Sequence, residues 1–454
     1  MHVFGSSGVR GVANEAVTPA DVLQIAQAAG TVFEDGPAAV ARDTRTSGEM
    51  LANAAASGLA SVGHDVRLLG EVPTPALQAY CERAGTPGVM ITASHNPPAY
   101  NGVKLIGPDG VELSRSTLDR IEERLAATDF GTVGWEAVGR TERVDGVAED
   151  YVAGVRAAVD RDAIAAADLT VVVDPGHGAG CHTSPRFLRE LGCTVHTVNA
   201  QPDGHFPGRD PEPVEQHLGD LQEYVRSTDA DLGIAHDGDA DRAVFVDETG
   251  ATINGDAALA ALVEATVEPG DSVVSAVNAS QRLVDVAEAA DADLHLTQIG
   301  STYLISRIRE LRADGETVSA AGEGNGGIIF PGYRIARDGA YATGRFLELV
   351  VEEPASEIAA RFDDYANVRR TVAYDDDGER SAMLDAIEET ANGAVADLDT
   401  TDGWRLEYGD GWVLARPSGT EPVIRIYAEA RTEERAAELL AVFGDAVERA
   451  KETV

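Results

Sequence analysis

Short runs of β-branched and apolar residues alternate with amphipathic helical windows from residue 21 to about residue 360. Such runs are too short for a stable helix and the right length for a buried strand. In the first series, 51–62 reads as a helix, and 65–69 and 88–92 read as strands. A second series opens at 169–174 (LTVVVD) and continues through a helix near 185–191 and strands at 194–198 and 231–236. A third, from 255 to about 360, predicts strands at 272–276, 294–298 and 318–321. Strand, helix, strand at this spacing builds βαβ units with parallel or mixed sheets. The last part of the chain breaks the pattern. A strand at 368–374, a helix at 379–391, two strands flanking Asp410-Gly411, a strand at 423–429 and a closing helix describe an α+β domain with an antiparallel sheet. The expected boundaries are 1–145, 146–250, 251–365 and 366–454. Each piece is close to the usual domain size of roughly 100 residues.

Charge narrows the function classes. The 454 residues carry 77 acidic against 36 basic side chains, a net charge of −41. A field of that sign repels nucleic acid and anionic membrane surfaces, so neither is an expected partner. The acids are spread along the chain between apolar residues, which describes a solvated acidic surface and implies a cell with high internal salt. Lysine occurs only at Lys104 and Lys451; arginine supplies the other positive charge. No apolar stretch approaches the ~20 residues of a membrane helix, and no basic-then-apolar leader opens the sequence, so a cytoplasmic location is expected. The three scattered cysteines, Cys81, Cys181 and Cys193, match no metal or disulfide framework.

Four segments carry candidate chemistry. In 92–98 (TASHNPP), followed by 100–104 (YNGVK), a strand ends and two prolines and a glycine fix the chain that follows as a loop. Ser94 and His95 then sit at a strand terminus, where α/β proteins place ligand sites. A serine hydroxyl is a weak nucleophile that needs a base, a metal or both. An isolated Ser-His pair is an ordinary polar turn; the rare Lys104 nearby tips the segment toward function. In 236–242 (HDGDADR), between two strands, Asp237, Asp239 and Asp241 stand at alternate positions of a tight loop and can converge on one hard cation. Crowding three anions with no cation is costly. A calcium EF-hand is excluded because its sixth position would be Arg242 rather than glycine and its flanks are strands. A solvated acidic turn is the bland alternative.

The third segment, 322–327 (GEGNGG), offers Glu323 and Asn325 as hydrogen-bonding groups on a flexible backbone and equally describes a plain hairpin turn. The fourth, 416–422 (RPSGTEP), clusters Arg416, Ser418, Gly419 and Thr420, with Arg425 beyond, as a phosphate cradle between strands. The N-terminal 4–11 (FGSSGVRG) places Arg10 on a glycine-rich loop. In 174–180 (DPGHGAG), His177 belongs to a helix-entry turn.

Together these segments resemble the α-D-phosphohexomutase family, which includes phosphoglucomutase, phosphomannomutase and phosphoglucosamine mutase. The resemblance runs from Phe4 into the C-terminal domain and keeps the family's motif order. It implies three α/β domains and a smaller α+β domain around a central cleft. It further implies that Ser94 carries a phosphate, with Mg²⁺ held by that phosphate and by Asp237, Asp239 and Asp241. His95 and Lys104 would assist proton transfer, and Arg10 and Arg242 would stabilise the transferring group. Glu323 and Asn325 would hold sugar hydroxyls. Arg416, Ser418, Gly419, Thr420 and Arg425 would grip the phosphate that is not reacting. The implied substrates are hexose phosphates, with a hexose 1,6-bisphosphate as intermediate and activator, in a monomer or homodimer.

The sugar loop departs from the GEQSGH that many phosphoglucosamine mutases resemble, with Asn325 in the usual serine slot. That favours glucose and mannose phosphates, with phosphoglucosamine mutase as the alternative. The segment 300–302 (GST) also departs from the Gly-Asp or Gly-His of the corresponding loop. Rivals from other classes are a metal-dependent sugar-phosphate phosphatase and a silent sugar-phosphate-binding protein. The second would be expected to lack Ser94 or the aspartates.

Overall fold

Three parallel strands organise the N-terminal part of the chain: Ala38–Arg42 pairs with Val66–Glu71 on one side and Gly88–Ile91 on the other. The strand Tyr100–Ile106 adds antiparallel to Gly88–Ile91, Val9–Val12 closes that edge, and Thr141–Arg143 closes the other. Gly88–Ile91 and the first four residues of Ala38–Arg42 are apolar without alternation because both faces of the sheet are covered there. One cover is the helix pair Pro19–Gly30 and Gly48–Ser61, whose Val22, Ile25, Leu51 and Leu59 share a core with Val40, Val89 and Ile91. The first of these helices begins at a reciprocal Thr18–Asp21 capping box with Pro19 at its first position, a start signal written in the sequence.

This computed structural model describes residues 4–5, 8–418 and 422–453. A second sheet has the order Ala243–Asp247, Leu232–His236, Thr170–Asp174, Thr194–Thr197. Its first two strands form an antiparallel hairpin and the others pair in parallel. Phe245 of the hairpin stacks on Phe346 of the helix Gly339–Val350, with ring centroids 4.1 Å apart, so a helix distant in sequence completes this core. Both sheets belong to one compact unit, Met1–Ala258 with Asn325–Ile358.

The second unit is Leu259–Gly324 with Ala359–Val454. In it, Ser272–Ala276 pairs in parallel with Asp293–Thr297 and Val318–Glu323. A fully antiparallel sheet follows, in the order Ala366–Ala373, Val423–Ala430, Gly411–Pro417, Trp404–Glu407, Asp397–Asp399. Its Ile424, Ile426, Val413 and Leu406 pack with Met383 and Ile387 of the helix Asp377–Gly393 and Phe443 of the helix Glu433–Thr453. Among the described residues, no helix is long and apolar enough to cross a membrane.

The periodic segments fold as read, and two loop expectations are corrected. Residues 100–104 are not a loop but the start of the strand Tyr100–Ile106, and Arg10 lies on the strand Val9–Val12 rather than on a loop. Glycine reads as a breaker in isolation, but here it serves close strand approach. A Cβ on Gly102 would lie 2.2 Å from the Val9 carbonyl oxygen, so only glycine lets these two strands meet.

Candidate active site

Ser94 follows the C-terminal end of the strand Gly88–Ile91, on a turn whose backbone is left-handed at Ser94 itself (φ 52°). A non-glycine residue held there stores on the order of 1–3 kcal/mol and persists only where its surroundings fix it. The turn between Leu232–His236 and Ala243–Asp247 carries Asp237, Asp239 and Asp241, all fully or almost fully buried. One carboxylate oxygen from each lies within 4.8 Å of the others. The two turns touch: a Cβ on Gly238 would sit 2.6 Å from the Ser94 carbonyl oxygen, which accounts for glycine between the first two aspartates.

The Ser94 hydroxyl donates to Asp237 Oδ2 at 2.6 Å and lies 3.5 Å from His95 Nδ1. Lys104 faces Met90 across the sheet and reaches Asp239 Oδ2 at 2.8 Å and Asp241 Oδ2 at 2.9 Å, with 2% of its side chain exposed. Arg337 donates to Asp241 Oδ2 at 2.8 Å, and Thr74 to Asp239 Oδ2 at 2.5 Å. Arg10 is anchored by Asn96 Oδ1 at 3.0 Å.

These charges set one another's protonation. Burial opposes the Lys104 ammonium, but Asp239 and Asp241 outweigh it and hold the group above its ordinary range. Burial also opposes the Asp239 carboxylate, but Lys104 and the Thr74 hydroxyl hold it below the usual range. The Arg242 guanidinium, burial and Arg10 depress His95 far below its usual range, so its imidazole is neutral. Burial, then the neighbouring Asp239 and Asp241, push the Asp237 carboxyl up to about 8.

The site offers unused groups of both signs. Asp239 Oδ1 and Asp241 Oδ1 are buried acceptors without a hydrogen-bond partner among the described residues, and Arg10 Nε and Arg242 Nε are buried donors of the same kind. Carboxylate oxygens of this sort suit a hard divalent ion, and guanidinium N–H groups suit phosphate. A melting experiment reads the first half. The folded Asp237 keeps a proton that the unfolded chain loses near pH 4, so the metal-free protein loses stability as pH rises from about 4 to about 8. A cation bound by Asp237 would displace that proton and remove the loss. With EDTA the melting temperature is expected to fall between pH 7 and pH 8.5, above the range in which the depressed His95 and His236 add stability as pH rises, and excess Mg²⁺ should raise it more at the higher pH. An equal Mg²⁺ effect at both values would exclude Asp237 as a ligand.

The other sequence-predicted residues divide between the two units. Asn325 lies in the same unit as Ser94, its side-chain oxygen accepting from the Gly327 N–H at 3.0 Å, whereas Glu323 ends the strand Val318–Glu323 in the second unit. Arg416 and Ser418 lie in the second unit at the end of Gly411–Pro417, and Arg425 on Val423–Ala430; Gly419 and Thr420 lie outside the described residues. Thr74 and Arg337 were not foreseen. Both come from segments that show no chemistry until folding brings them to the aspartates.

Comparison with known proteins decides the family. Four profiles of "Phosphoglucomutase/phosphomannomutase" match in order: alpha/beta/alpha domain I over residues 1–132, domain II over 149–250, domain III over 254–365 and the C-terminal domain over 349–446. The chain belongs to the phosphoglucomutase/phosphomannomutase family. Its members are isomerases that move a phosphoryl group, and this chain has their four-domain α/β architecture. A phosphoglucomutase/phosphomannomutase of Thermococcus kodakarensis is 41% identical over 448 residues, covering 96% of each chain. A Methanopyrus kandleri protein named "Probable phosphoglucosamine mutase" is also 41% identical, over 460 residues and 99% of each chain. The crystal structure of a phosphoglucomutase/phosphomannomutase family protein from Burkholderia thailandensis superposes with a TM-score of 0.86 at 27% identity, over 99% of this chain and 98% of that one.

Proposed function

We propose that this phosphohexomutase interconverts the 1- and 6-phosphates of glucose and mannose through a phosphate carried on Ser94. The observation that carries the reading is the Ser94 hydroxyl set 2.6 Å from the first of three buried aspartates, together with the buried Nε donors of Arg10 and Arg242, which have no partner among the described residues. Asp237, Asp239 and Asp241 would hold the metal, proposed as Mg²⁺. When bound, it would supply positive charge to the oxygens of the transferring phosphoryl group.

The remaining steps belong to the chain. The bond from Ser94 Oγ to phosphorus breaks as one forms to the free sugar hydroxyl, giving a hexose 1,6-bisphosphate. Transfer of its other phosphoryl group back to Ser94 releases the isomer. His95, held neutral, can accept the proton leaving the sugar hydroxyl and return it in the reverse step. Lys104 keeps its charge against Asp239 and Asp241 and can share a proton with the leaving oxygen. Arg10 and Arg242 would neutralise the phosphoryl oxygens, while Glu323 and Asn325 would bind sugar hydroxyls. Arg416, Ser418, Gly419, Thr420 and Arg425 would hold the second phosphate. A free bisphosphate would prime Ser94 and so act as activator.

A second reading, phosphoglucosamine mutase, is favoured by the equal identity of the relative bearing that name. Turnover of glucose, mannose and glucosamine 1-phosphates, with Mg²⁺, bisphosphate and molar KCl, separates the two. Glucose and mannose phosphates are expected to be isomerised at least about tenfold faster in kcat/KM, roughly the net worth of one hydrogen bond to the sugar. The reverse order would assign the amino sugar. Release of inorganic phosphate matching sugar consumption would make the chain a phosphatase.

A further inference from the structure

We infer that Asp43, Arg45 and Thr92 form a positioning device that fixes the Ser94 turn for phosphoryl transfer, a role resting on the reading of Ser94 as the phosphate carrier. The strand Ala38–Arg42 lies beside Gly88–Ile91 in parallel register, with Arg42 opposite Ile91, so the two strand exits emerge side by side. The first exit delivers Asp43 and Arg45, both fully buried as side chains.

Every donor of the Arg45 guanidinium is used. Nε meets Asp43 Oδ2 at 3.0 Å, Nη1 donates to the carbonyls of Pro97 (2.7 Å) and Tyr100 (2.9 Å), and Nη2 to those of Ser94 (2.8 Å) and Asn96 (2.7 Å). A guanidinium offers five N–H donors in a rigid plane, whereas an ammonium offers three. Four carbonyls of one turn thus converge on a single side chain, and one of them belongs to Ser94 itself.

The peptide on the other side of Ser94 ends on the same ion pair. The Ser94 N–H donates to Thr92 Oγ1 at 2.8 Å, and the Thr92 hydroxyl donates to Asp43 Oδ2 at 2.6 Å. Both backbone groups of the left-handed residue are therefore tied to Asp43 and Arg45, directly or through one hydroxyl. The Phe206 ring, 5.3 Å from Arg45 Cζ, lies against the guanidinium. None of these side chains needs to meet a substrate. Their effect is to fix where Ser94 Oγ points, and a misplacement of about 1 Å at a reacting atom can cost about a hundredfold in rate.

The test is a set of variants of the full chain, measured for kcat, KM and secondary structure by circular dichroism. Thr92→Val keeps the shape and removes the hydroxyl; kcat is expected to fall about 10- to 100-fold with KM for the hexose 1-phosphate within about threefold. Thr92→Ser restores the hydroxyl and should recover most of that loss, which a packing role would not produce. Arg45→Lys keeps the charge but not the five donors and should lower kcat at least about a hundredfold. Full kcat in Thr92→Val, or equal damage in Thr92→Ser, overturns the inference while Ser94 stands. An unaltered chain with no mutase activity and no phosphate on Ser94 overturns the reading and the inference together. Should Arg45→Lys fail to fold, the Thr92 pair alone decides.

Discussion

Replacement of Ser94 by alanine is expected to lower mutase kcat at least about a thousandfold, the scale on which removing a nucleophile acts, while the protein stays folded. The separation of the two effects follows from what the hydroxyl touches. Ser94 Oγ makes a hydrogen bond to Asp237 and approaches His95, but the turn around it is held through backbone groups and the Arg45 guanidinium, which alanine leaves in place. Alanine also tolerates the left-handed backbone at a cost similar to serine's. The loss in stability should therefore be close to that of one hydrogen bond, about 1–2 kcal/mol. Intact-mass measurement after incubation with a hexose 1,6-bisphosphate checks the chemistry directly. The unaltered chain should gain one phosphoryl group that maps to Ser94, and Ser94→Ala should gain none. Full activity in Ser94→Ala would move the phosphate carrier elsewhere.

Much of this site was legible in the sequence, for reasons that differ between its parts. The aspartate triplet stands out because three alternating carboxylates on one tight turn repel one another, and its flanking apolar runs give the strands. Ser94 draws attention because prolines, asparagine and histidine crowd the exit of a strand. Lys104 stands out by rarity, but local pattern does not give its strand, since the glycine that reads as a breaker is the residue that lets two strands approach. Arg45 was not found. The segment 43–48 (DTRTSG) is a polar strand exit like the others, but the worth of a guanidinium depends on carbonyls about fifty residues away. Thr74 and Arg337 were missed for the same reason. Each contributes one donor to an aspartate, and no local pattern encodes the distant partner. The segment 322–327 meets a different limit, because Glu323 and Asn325 belong to different compact units although only Gly324 separates them.

Lys104→Met is expected to damage both stability and turnover, and to do so in a way Mg²⁺ partly repairs. The ammonium lies between Asp239 and Asp241, all three side chains almost wholly buried. Removing one partner from such a cluster leaves charge in a dry interior, a loss of about 3–5 kcal/mol. A divalent cation on the same aspartates replaces part of the missing positive charge, so the melting temperature of Lys104→Met should rise more with Mg²⁺ than that of the unaltered chain. Turnover should not recover. The cation cannot share a proton with a leaving oxygen, and kcat is expected to stay at least about a hundredfold down. Lys104→Arg separates charge from shape. Arginine is this chain's habitual cation, yet at 104 a compact ammonium bridges two carboxylate oxygens at 2.8 and 2.9 Å inside a packed sheet. A longer planar fork there overpacks the strand, at about 1–3 kcal/mol, and cannot make the same bridge. Retained charge with turnover at least about tenfold lower would show that position 104 selects for the geometry of the group as well as its sign. Unchanged stability and full activity in Lys104→Met would mean that the two carboxylates do not need a fixed cation between them.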